Sequence, residues 1–533
     1  MNEFTIKFNF NKKSTKVVSS EKFFSDGLVE VFIDRISSFN YDKENYFFDP
    51  KKGILCVMVG NIINLNNLKD KYKLEKQNDV EVVANLYYKS GLKFINNLDG
   101  LFLVFIYDIK NQKGYIFGDS YGSFLPLYFT KIQARLITSI SLKNILKEVP
   151  KDQRKLNYSA VNDLLSSKVI IPNKNTLVKN VYKLIPDRCL VVDVKKEVIK
   201  ITRVKREKYY ISEEFAKRNL IKSIEDNVIN LQKNLCGHKI TCAVSGGFDS
   251  NLIAFYLARD KKAKIAALTI GGKEIDESNQ ARELVKDYKN VKHHVAYVKN
   301  SQLEILPEIV WRLESYVCER GIFLQYELAH LCRKLGNKTI FLGELADQIL
   351  NQNRVTTEVF YFQYFNYGTV LDKNNKNISI KYDVMFDYIL KKNTIMLNSF
   401  GLQGIYPYIN KNTYQISSSL KKVNFDKTYF KEEVRKTLGE KKSQYLKKTG
   451  GSTDIIYLFE GKEEEIKMIF KSDLVRKILG DEEIVIILNS FKEHTDLILL
   501  ILNIYLFDSL FISGKYDSVF NNENFKHKLS DLL

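Results

Sequence analysis

The chain has few cysteines, and no two of them stand at a motif spacing. The six cysteines in 533 residues are scattered, without a C-x-x-C pair. This scarcity argues against both a disulfide framework and a structural zinc site, and it fits a reducing cytoplasm. The first residues, Met1 to Thr5, also lack the basic and apolar regions of a signal peptide, so no export is implied.

A hydrophobic run long enough to cross a membrane is also missing from the sequence. The longest apolar stretch, Leu497 to Phe507, is interrupted by Asp508, well short of the roughly 20 residues that a membrane span needs. It predicts a buried C-terminal helix and no membrane span. The formal charge of +19 is spread along the chain, and a basic surface attracts nucleic acid, acidic lipid and acidic peptides alike. The charge therefore selects no partner.

The sequence has no Walker phosphate loop, because no Gly-Lys-Ser/Thr stands at the required spacing. It has instead Ser-Gly-Gly-Phe-Asp-Ser at 245–250, between the β-prone run 239–244 and apolar residues at helical spacing. A glycine turn with positive φ before a helix aims backbone N–H groups at one point, where an anion is stabilised. Asp249 fits beside an anion if Mg²⁺ lies between its carboxylate and the phosphates.

That stretch resembles the pyrophosphate loop of the N-type ATP pyrophosphatases, which cleave ATP to AMP and pyrophosphate while activating a carboxylate or carbonyl oxygen. The resemblance implies that Ser245, Gly246, Gly247, Asp249 and Ser250 bind the phosphates of ATP, with Asp249 also a ligand of Mg²⁺. The alternative is an ordinary Gly-Gly turn with an N-capping Asp or Ser. The predicted strand before the loop and helix after it favour the nucleotide site.

The patterning of the chain changes near residue 210. Before that point, residues 54–59, 101–107, 114–118 and 188–194 are predicted strands, and residues 80–88 and 142–147 are predicted helices. Afterwards helix and strand alternate, with helices at 213–235 and 276–288 and strands at 239–244, 264–270, 292–298 and 339–342. Such alternation builds an open α/β sheet with its ligand crevice at the carboxyl ends of the strands. We predict an α/β protein with domains 1–210 and 211–533.

Five segments of the first domain resemble, in order and rough spacing, the glutamine amidotransferase domain of asparagine synthetases. They are Gly60–Asn64, Asp79–Val82, Leu98–Phe102, Gly118–Gly122 and Pro126–Tyr128. Together with the loop, they make the chain resemble the family of asparagine synthetases, β-lactam and carbapenam synthetases, and lasso peptide cyclases. The resemblance implies an α+β Ntn-hydrolase-like sandwich followed by an α/β parallel-sheet ATP pyrophosphatase domain with many added helices.

Position 2 of the chain is Asn. Asparagine synthetases carry there the cysteine that becomes residue one and hydrolyses glutamine. Asn has no nucleophilic side chain, and Thr5 cannot replace the cysteine because the mechanism needs the chain's own α-amine beside the nucleophile. We therefore expect no glutaminase activity, and a structural or peptide-holding role for the first domain.

Two further segments extend the resemblance in the second domain. Leu268 to Gly271 matches the strand end where the family holds adenine. Gly343 to Asp347 resembles the family's G-x-G-[SAG]-D segment, which lies at the nucleotide, with Leu345 in place of the second glycine. The resemblance makes Asp347 the second carboxylate on Mg²⁺. An N-cap or a solvated carboxylate is the alternative.

The acceptor side of the site departs from the family. Gly401 to Ile409 resembles E-[AG]-R-x-P-[FY]-[LI], with Gln403 for the Glu and Ile405 for the Arg, which argues against aspartate as the substrate. Glu344 matches a position that is Glu in asparagine synthetases and Tyr in β-lactam synthetases. It is a candidate general base for the attacking amine, or else a cap of the following helix.

A lysine segment, Lys447 to Thr453, resembles K-x-G-x-[ST], which closes over the adenylate in the family. We choose Lys448 over Lys447 because Gly450 and Ser452 follow it at the motif spacing. Its ammonium would stabilise charge on the α-phosphate and on the tetrahedral intermediate, and a basic surface loop is the alternative. The six histidines show no metal-binding spacing.

These residues predict a ligase that uses ATP and Mg²⁺ to adenylate a carboxylate, so that an intramolecular amine can close a ring, as lasso peptide cyclases do. Its expected partners are a precursor peptide and a leader peptidase, and no nucleic acid. The alternatives are an ammonia-dependent relative that amidates a small molecule or sugar carboxylate, a non-catalytic scaffold, and a tRNA-modifying pyrophosphatase. Relatives of the last kind lack the first domain.

Overall fold

The computed structural model of the chain describes residues 2–13, 18–19, 23–35, 45–74, 77–119, 125–167, 174–204, 211–235, 239–272, 276–298, 300–316, 321–350, 392–420, 427–447, 458–514, 516–517, 525 and 528–531. Within them the strands are β1 (Asn2–Asn9), β2 (Val18–Ser19), β3 (Phe23–Ser25), β4 (Val29–Arg35), β5 (Tyr46–Asp49), β6 (Ile54–Ile62), β7 (Gly100–Asp108), β8 (Lys113–Gly118), β9 (Tyr128–Ile132), β10 (Arg135–Ser139), β11 (Tyr182–Lys183), β12 (Arg188–Asp193), β13 (Val198–Arg203), β14 (Lys239–Ala243), β15 (Lys264–Gly271), β16 (Val291–Tyr297), β17 (Thr339–Phe341) and β18 (Gln403–Ile405).

The α-helices among these residues are α1 (Leu65–Tyr72), α2 (Asp79–Ser90), α3 (Leu142–Glu148), α4 (Tyr158–Ser167), α5 (Glu213–Leu235), α6 (Phe248–Ala258), α7 (Ser278–Val285), α8 (Leu306–Leu313), α9 (Gly321–Lys334), α10 (Ala346–Leu350), α11 (residues 392–399), α12 (Lys411–Ser419), α13 (Thr428–Leu438), α14 (Glu440–Ser443), α15 (Glu463–Phe470), α16 (Asp473–Leu479), α17 (Asp481–Asn489) and α18 (Thr495–Phe507).

The first part of the chain is a sandwich of two antiparallel sheets. Within its described residues, one sheet has the strand order β11-β9-β10-β1-β4-β3-β2 and the other β13-β12-β8-β7-β6-β5. Alternate residues of β6 face opposite ways: Leu55 and Val57 lie in the core that both sheets share, whereas Cys56 and Met58 pack with α1 and α2. Helix α3 packs on the outer face of β9 and β10. The layers run helix, sheet, sheet, helix, and this confirms the predicted α+β sandwich.

The second part contains a parallel sheet, as predicted. Among the described residues its strand order is β16-β15-β14-β17-β18, and every neighbouring pair is parallel. The chain runs outward from β14 to β15 and β16, and later continues on the other side of β14 with β17 and β18. The carboxyl ends of β14 and β17 therefore flank a topological switch point, the place where open α/β sheets bind ligands.

The predicted buried C-terminal helix is α18. The apolar stretch does not stop at Asp508, as expected from the sequence, but continues through a π-helical turn, Asp508–Ile512. By length and composition alone, Thr495–Ile512 could cross a membrane, with a mean hydropathy of 1.8. However, 67% of this stretch is buried inside the protein, which is how a core helix behaves. Burial also raises the pKa of the Asp508 carboxyl.

Some elements escaped the sequence prediction. Helices α1 and α4 and strand β18 were not predicted, and α7 is shorter than the expected helix at 276–288. Strand β18 has three residues, Gln403, Gly404 and Ile405, which is too few to show an alternating pattern, and its pairing with β17 defines it. The polar loop predicted at 372–377 lies outside the described residues.

The two parts of the chain are joined by a carboxylate that caps a helix. Glu314, at the end of α8, accepts hydrogen bonds from the Ser141 hydroxyl at 3.0 Å and from the backbone N–H groups of Leu142 and Lys143 at the start of α3. The Lys143 ammonium lies 3.2 Å from the same carboxylate and 4.4 Å from the centre of the Trp311 ring. A negative charge therefore satisfies the otherwise unpaired donors at the N-terminus of α3.

Removing this charge is expected to destabilise the protein. Glu314→Gln should lower the free energy of unfolding by about 2 kcal/mol, because an amide cannot replace a charged acceptor of several N–H groups. Chemical denaturation followed by circular dichroism measures the loss. Glu214→Gln is the matched control, since the Glu214 side chain is 75% exposed and its ion pair with Arg218 contributes little. Equal losses in the two variants would contradict the capping role.

Candidate functional site

The predicted phosphate loop lies at the switch point, between β14 and α6. Its conformation is held from within: the Ser245 N–H donates to Ser250 Oγ at 3.1 Å, and the Gly247 N–H donates to Ser245 Oγ at 3.1 Å. Asn251 Nδ2 donates to the carbonyls of Ser245 and Gly247, both at 2.7 Å. The two serine hydroxyls lie 3.0 Å apart. The loop is thus held by its own hydrogen bonds, and its two hydroxyls lie before a helix N-terminus, where an anion is stabilised.

The glycines of the loop serve a different purpose from the expected one. Neither Gly246 nor Gly247 lies in the left-handed region, so the predicted positive φ is wrong. Instead, a Cβ on Gly246 would lie 3.0 Å from the Lys447 carbonyl oxygen, and one on Gly247 would lie 3.3 Å from Ser245 Oγ. The glycines are therefore needed for close approach.

A carboxylate already binds this loop. The Gly246 N–H donates to Glu277 Oε2 at 3.0 Å, and Glu277 is the residue directly before α7. Because this loop N–H donates to a carboxylate, its position suits a negatively charged oxygen.

Two carboxylates from separate helices meet at one buried ammonium group. Lys427 Nζ lies 2.6 Å from Asp249 Oδ1, at the start of α6, and 2.8 Å from Asp347 Oδ1, in α10. The Lys427 side chain is only 3% exposed. Burial alone would lower the pKa of Lys427, but Asp249 and Asp347 outweigh it and raise the pKa above its usual value. The lysine is therefore a fixed cation at neutral pH.

Lys427 was not predicted from the sequence. It directly precedes α13 with a left-handed backbone, φ 61° and ψ 26°, which is unfavourable for a residue with a Cβ. Such strain persists only where the surroundings determine the conformation, and it concentrates at functional sites. Nothing local distinguishes this lysine among 82 Lys and Arg residues. The sequence indicated only that the two carboxylates predicted to lie together would need a positive charge beside them.

The same two carboxylates suit a magnesium ion. Hard cations take oxygen ligands, and Mg²⁺ in nucleotide sites is held by one or two carboxylates plus phosphate oxygens and water. Asp249 and Asp347 face a point that a cation occupies in this structure, the Lys427 ammonium, so their charges fit the metal. Among the described residues, no group of three His, Cys, Asp or Glu side chains could hold a metal without the nucleotide.

The segment after β17 packs directly on the loop. A Cβ on Gly343 would lie 2.9 Å from the Ser250 backbone nitrogen and 3.2 Å from the Asp249 carbonyl carbon, so only glycine permits this approach. Leu345, which replaces the family's second glycine, has φ 66°. The glycine-like backbone is therefore kept in spite of the leucine side chain, which is buried.

The predicted adenine-binding strand is β15. Leu268 is buried inside the sheet, where its carbonyl accepts a hydrogen bond from the Val244 N–H at 2.8 Å. The strand ends at Gly271, three residues later, beside Tyr297 of β16. The end of β15, more than Leu268 itself, faces the ligand crevice.

The acceptor side of the site is formed by β18 and by the segments that follow β17 and β18. Glu344 is partly buried after β17, and Tyr406 follows β18 with its hydroxyl 3.1 Å from Thr394 Oγ1. Burial, with the nearby Glu344 charge adding to it, raises the pKa of Tyr406. Gln403 and Ile405 are buried in β18, and Gln403 Oε1 has no hydrogen-bond partner among the described residues.

The preferred lysine, Lys448, lies outside the described residues. Its neighbour Lys447 is described, and the Lys447 N–H donates to the Gly246 carbonyl at 2.9 Å, which brings the lysine segment onto the phosphate loop. Helix α14, just before it, is held on α7 by Lys442, whose ammonium donates to the Leu284 carbonyl at 2.5 Å and lies 3.7 Å from the centre of the Tyr288 ring.

The fold and this site define a nucleotide-binding α/β protein joined to an amidotransferase-like sandwich. Residues 28–210 match the model of the glutamine amidotransferase domain, and residues 236–377 match the model of asparagine synthase, together more than half of the chain. The chain belongs to the asparagine synthetase family. Asp249, Glu344 and Asp347 lie within the matched stretches, whereas Lys427 and Lys447 lie beyond them.

Individual relatives are distant. The chain is 24% identical to the glutamine-hydrolysing asparagine synthetase of Mus musculus over 54% of its own length and 53% of that protein. It is 23% identical to the glutamine-hydrolysing asparagine synthetase 2 of Bacillus subtilis over 62% of its own length and 47% of that protein. The chain thus spans about half the length of these curated relatives.

One solved structure shares a weak similarity with the chain. A glutamine phosphoribosylpyrophosphate amidotransferase from B. subtilis, solved with ADP and GMP, is similar over 56% of this chain and 81% of that chain. The identity is 11% and the TM-score 0.25.

The contact of Gly343 with the loop is open to a test. Gly343→Ala is expected to destabilise the protein by about 1–3 kcal/mol, because the new methyl group would overlap backbone atoms that cannot move independently. The same substitution should weaken ATP binding in calorimetry, since it displaces Ser250. Gly118→Ala is the control, because its Cβ would find its nearest neighbours at 3.6 Å, an ordinary contact. An unchanged affinity for ATP in Gly343→Ala would refute the contact's importance.

Replacing the buried cation should change both stability and the response to metal. Lys427→Gln is expected to cost about 3 kcal/mol, because it leaves two facing carboxylates without a counter-charge. Millimolar Mg²⁺ should raise the melting temperature of this variant more than that of the wild type, since the metal then meets no competing ammonium. Lys441→Gln, at a lysine whose side chain is 79% exposed, is the control. An equal response to Mg²⁺ in all three proteins would exclude competition between metal and lysine.

Proposed function

We propose that the chain is an ATP-dependent ligase that adenylates a carboxylate and joins it to an amine, releasing AMP and pyrophosphate. The observation that carries this proposal is that the Ser245–Ser250 loop, Asp249, Asp347 and Lys427 lie together at the carboxyl edge of a parallel sheet. Membership of the asparagine synthetase family supports it.

The residues on the nucleotide side would act through charge and position. The hydroxyls of Ser245 and Ser250, at the N-terminus of α6, would bind the β- and γ-phosphates. Asp249 and Asp347 would hold Mg²⁺, whose charge would offset that of the departing pyrophosphate. The substrate carboxylate attacks the α-phosphorus, and the bond to the β-phosphate breaks. The role proposed for Lys448, to stabilise charge on the α-phosphate, comes from the resemblance, and the contact of its neighbour Lys447 with the Gly246 carbonyl supports it.

In the second step the amine attacks the activated carbonyl carbon, AMP leaves with its electron pair, and a base takes the amine's proton. Glu344 is our choice for the base, because it is partly buried on the segment that also carries Asp347. The described part of β18 offers no charged side chain, since Gln403 and Ile405 replace the family's Glu and Arg. This supports an acceptor other than free aspartate.

We infer that the amine does not come from glutamine. Strand β1 carries no cysteine. Thr5, the residue of that strand with a hydroxyl group, is buried, and its hydroxyl oxygen lies 3.0 Å from that of Ser139. Asp99, in the segment that resembles the amidotransferases, instead accepts a hydrogen bond from the Lys411 N–H at 3.0 Å, at the start of α12. The first part of the chain therefore contacts the helix that follows the acceptor segment, and this supports a structural or peptide-holding role.

The specific reaction we propose is macrolactam closure of a lasso-type peptide, in which the free N-terminal amine attacks an Asp or Glu side chain. Folding the peptide before reaction would supply the effective concentration that free ammonia lacks. A precursor peptide and a leader peptidase would be its partners. The four described cysteines are free thiols, which supports a reducing cytoplasm as the location.

The decisive experiment incubates the protein with ATP, Mg²⁺ and a candidate precursor peptide. We expect loss of one water from the peptide by mass spectrometry, with one AMP formed per ring, and no product from Asp249→Asn, which removes a carboxylate from the metal. Glu214→Gln serves as the active control. Formation of ADP in place of AMP would exclude adenylation.

The alternative functions predict different results, in this assay or in binding measurements. Amide formation that requires ammonium and no peptide would support the small-molecule alternative, which Glu344 favours. A protein that fails to bind ATP and Mg²⁺ in calorimetry would be a scaffold. Glutamate released from glutamine would contradict the loss of glutaminase activity.

A further inference from the structure

An aromatic side chain stands at the end of the strand next to the nucleotide loop. Tyr297 is the last residue of β16 and pairs in register with Gly271, the last residue of β15. Its side chain leans across that glycine, because a Cβ on Gly271 would lie 2.6 Å from Tyr297 Cε1 and 2.7 Å from Cδ1. The ring is thus directed from the edge strand toward β14, whose carboxyl end leads into the loop.

The ring is linked to the phosphate loop through a short series of contacts. The Tyr297 hydroxyl lies 3.4 Å from Ser278 Oγ, at the start of α7. The residue before it, Glu277, accepts the hydrogen bond from the Gly246 N–H. The aromatic ring and the phosphate loop therefore flank the N-terminus of α7, so that one nucleotide could reach both.

Tyr297 remains 51% exposed although it lies at a sheet edge beside the candidate site. The other large aromatic side chains exposed among the described residues, Tyr88, Tyr158 and Phe215, lie on helices α2, α4 and α5 and not on a strand of the parallel sheet. Packing within the chain accounts for one side of the Tyr297 ring, against Gly271. The exposure of the residue leaves part of the ring open to a ligand.

We propose that Tyr297 is the base platform of the nucleotide site, with the exposed face of its ring stacked on the adenine of ATP. Every purine presents a flat π surface, and offset stacking on an aromatic ring adds affinity beyond the area it buries. The proposal rests on the proposed function, since it takes ATP as the nucleotide. It explains why Gly271 must lack a side chain, because any Cβ would displace the ring.

The test separates the base from the phosphates by using a ligand that has no base. Calorimetry measures the affinity for ATP with Mg²⁺ and for inorganic tripolyphosphate with Mg²⁺ in the wild type, Tyr297→Leu, Tyr297→Phe and the control Tyr88→Leu. Tyr297→Leu should weaken ATP binding about fivefold to tenfold and leave tripolyphosphate binding within about twofold. Tyr297→Phe and Tyr88→Leu should both retain the wild-type affinities.

A second readout does not depend on affinity. The single tryptophan of the chain, Trp311, is buried, so Tyr297→Trp adds an exposed fluorophore at the site. ATP should quench the added emission, and tripolyphosphate should not.

Two results would contradict the stacking role of Tyr297 and leave the proposed function standing. One is unchanged ATP binding by Tyr297→Leu. The other is an equal loss of affinity for ATP and tripolyphosphate, which would show that the ring has only a structural role. A wild type that binds neither ligand would overturn the proposed function and the platform with it.

Discussion

The candidate site depends on three charged side chains that neutralise one another. Asp249 and Asp347 come from helices almost 100 residues apart in the sequence, and Lys427 comes from a third segment. Two carboxylates that face each other repel unless a cation lies between them, and a buried ammonium is costly unless carboxylates surround it. Each charge therefore requires the others. The left-handed backbone of Lys427 is tolerated because the ion pairs determine where its ammonium must lie.

Close backbone packing holds the segments that carry these charges. Gly343 lies against the backbone of Asp249 and Ser250, and Gly246 lies against Lys447. A contact between backbones cannot be relieved by a change of side-chain rotamer, so displacement of one segment is felt by the next. The loop, the second carboxylate and the approach to the lysine segment consequently form one unit.

Sequence patterns predicted those features whose cause is local. The loop at 245–250 was found because its strand, glycines and helix are contiguous, and Asp347 because it stands in a short motif after a strand. Lys427 could not be found in this way, since its role arises from a meeting of three distant segments. The left-handed Leu345 was likewise hidden, because leucine gives no signal of that conformation. Nor could spacing reveal that Gly246 and Gly247 serve close packing without a positive φ.

The first part of the chain also stabilises the second. Buried residues of α3 and α4 belong to one continuous hydrophobic core with α5, α8 and α18. Removing the sandwich would expose that apolar surface and would leave Glu314 without the helix it caps. It would also free Lys411, which Asp99 and the Asn96 carbonyl hold at the start of α12, just after the acceptor segment. The sandwich is thus required by the fold of the synthetase part, whether or not it retains any chemistry of its own.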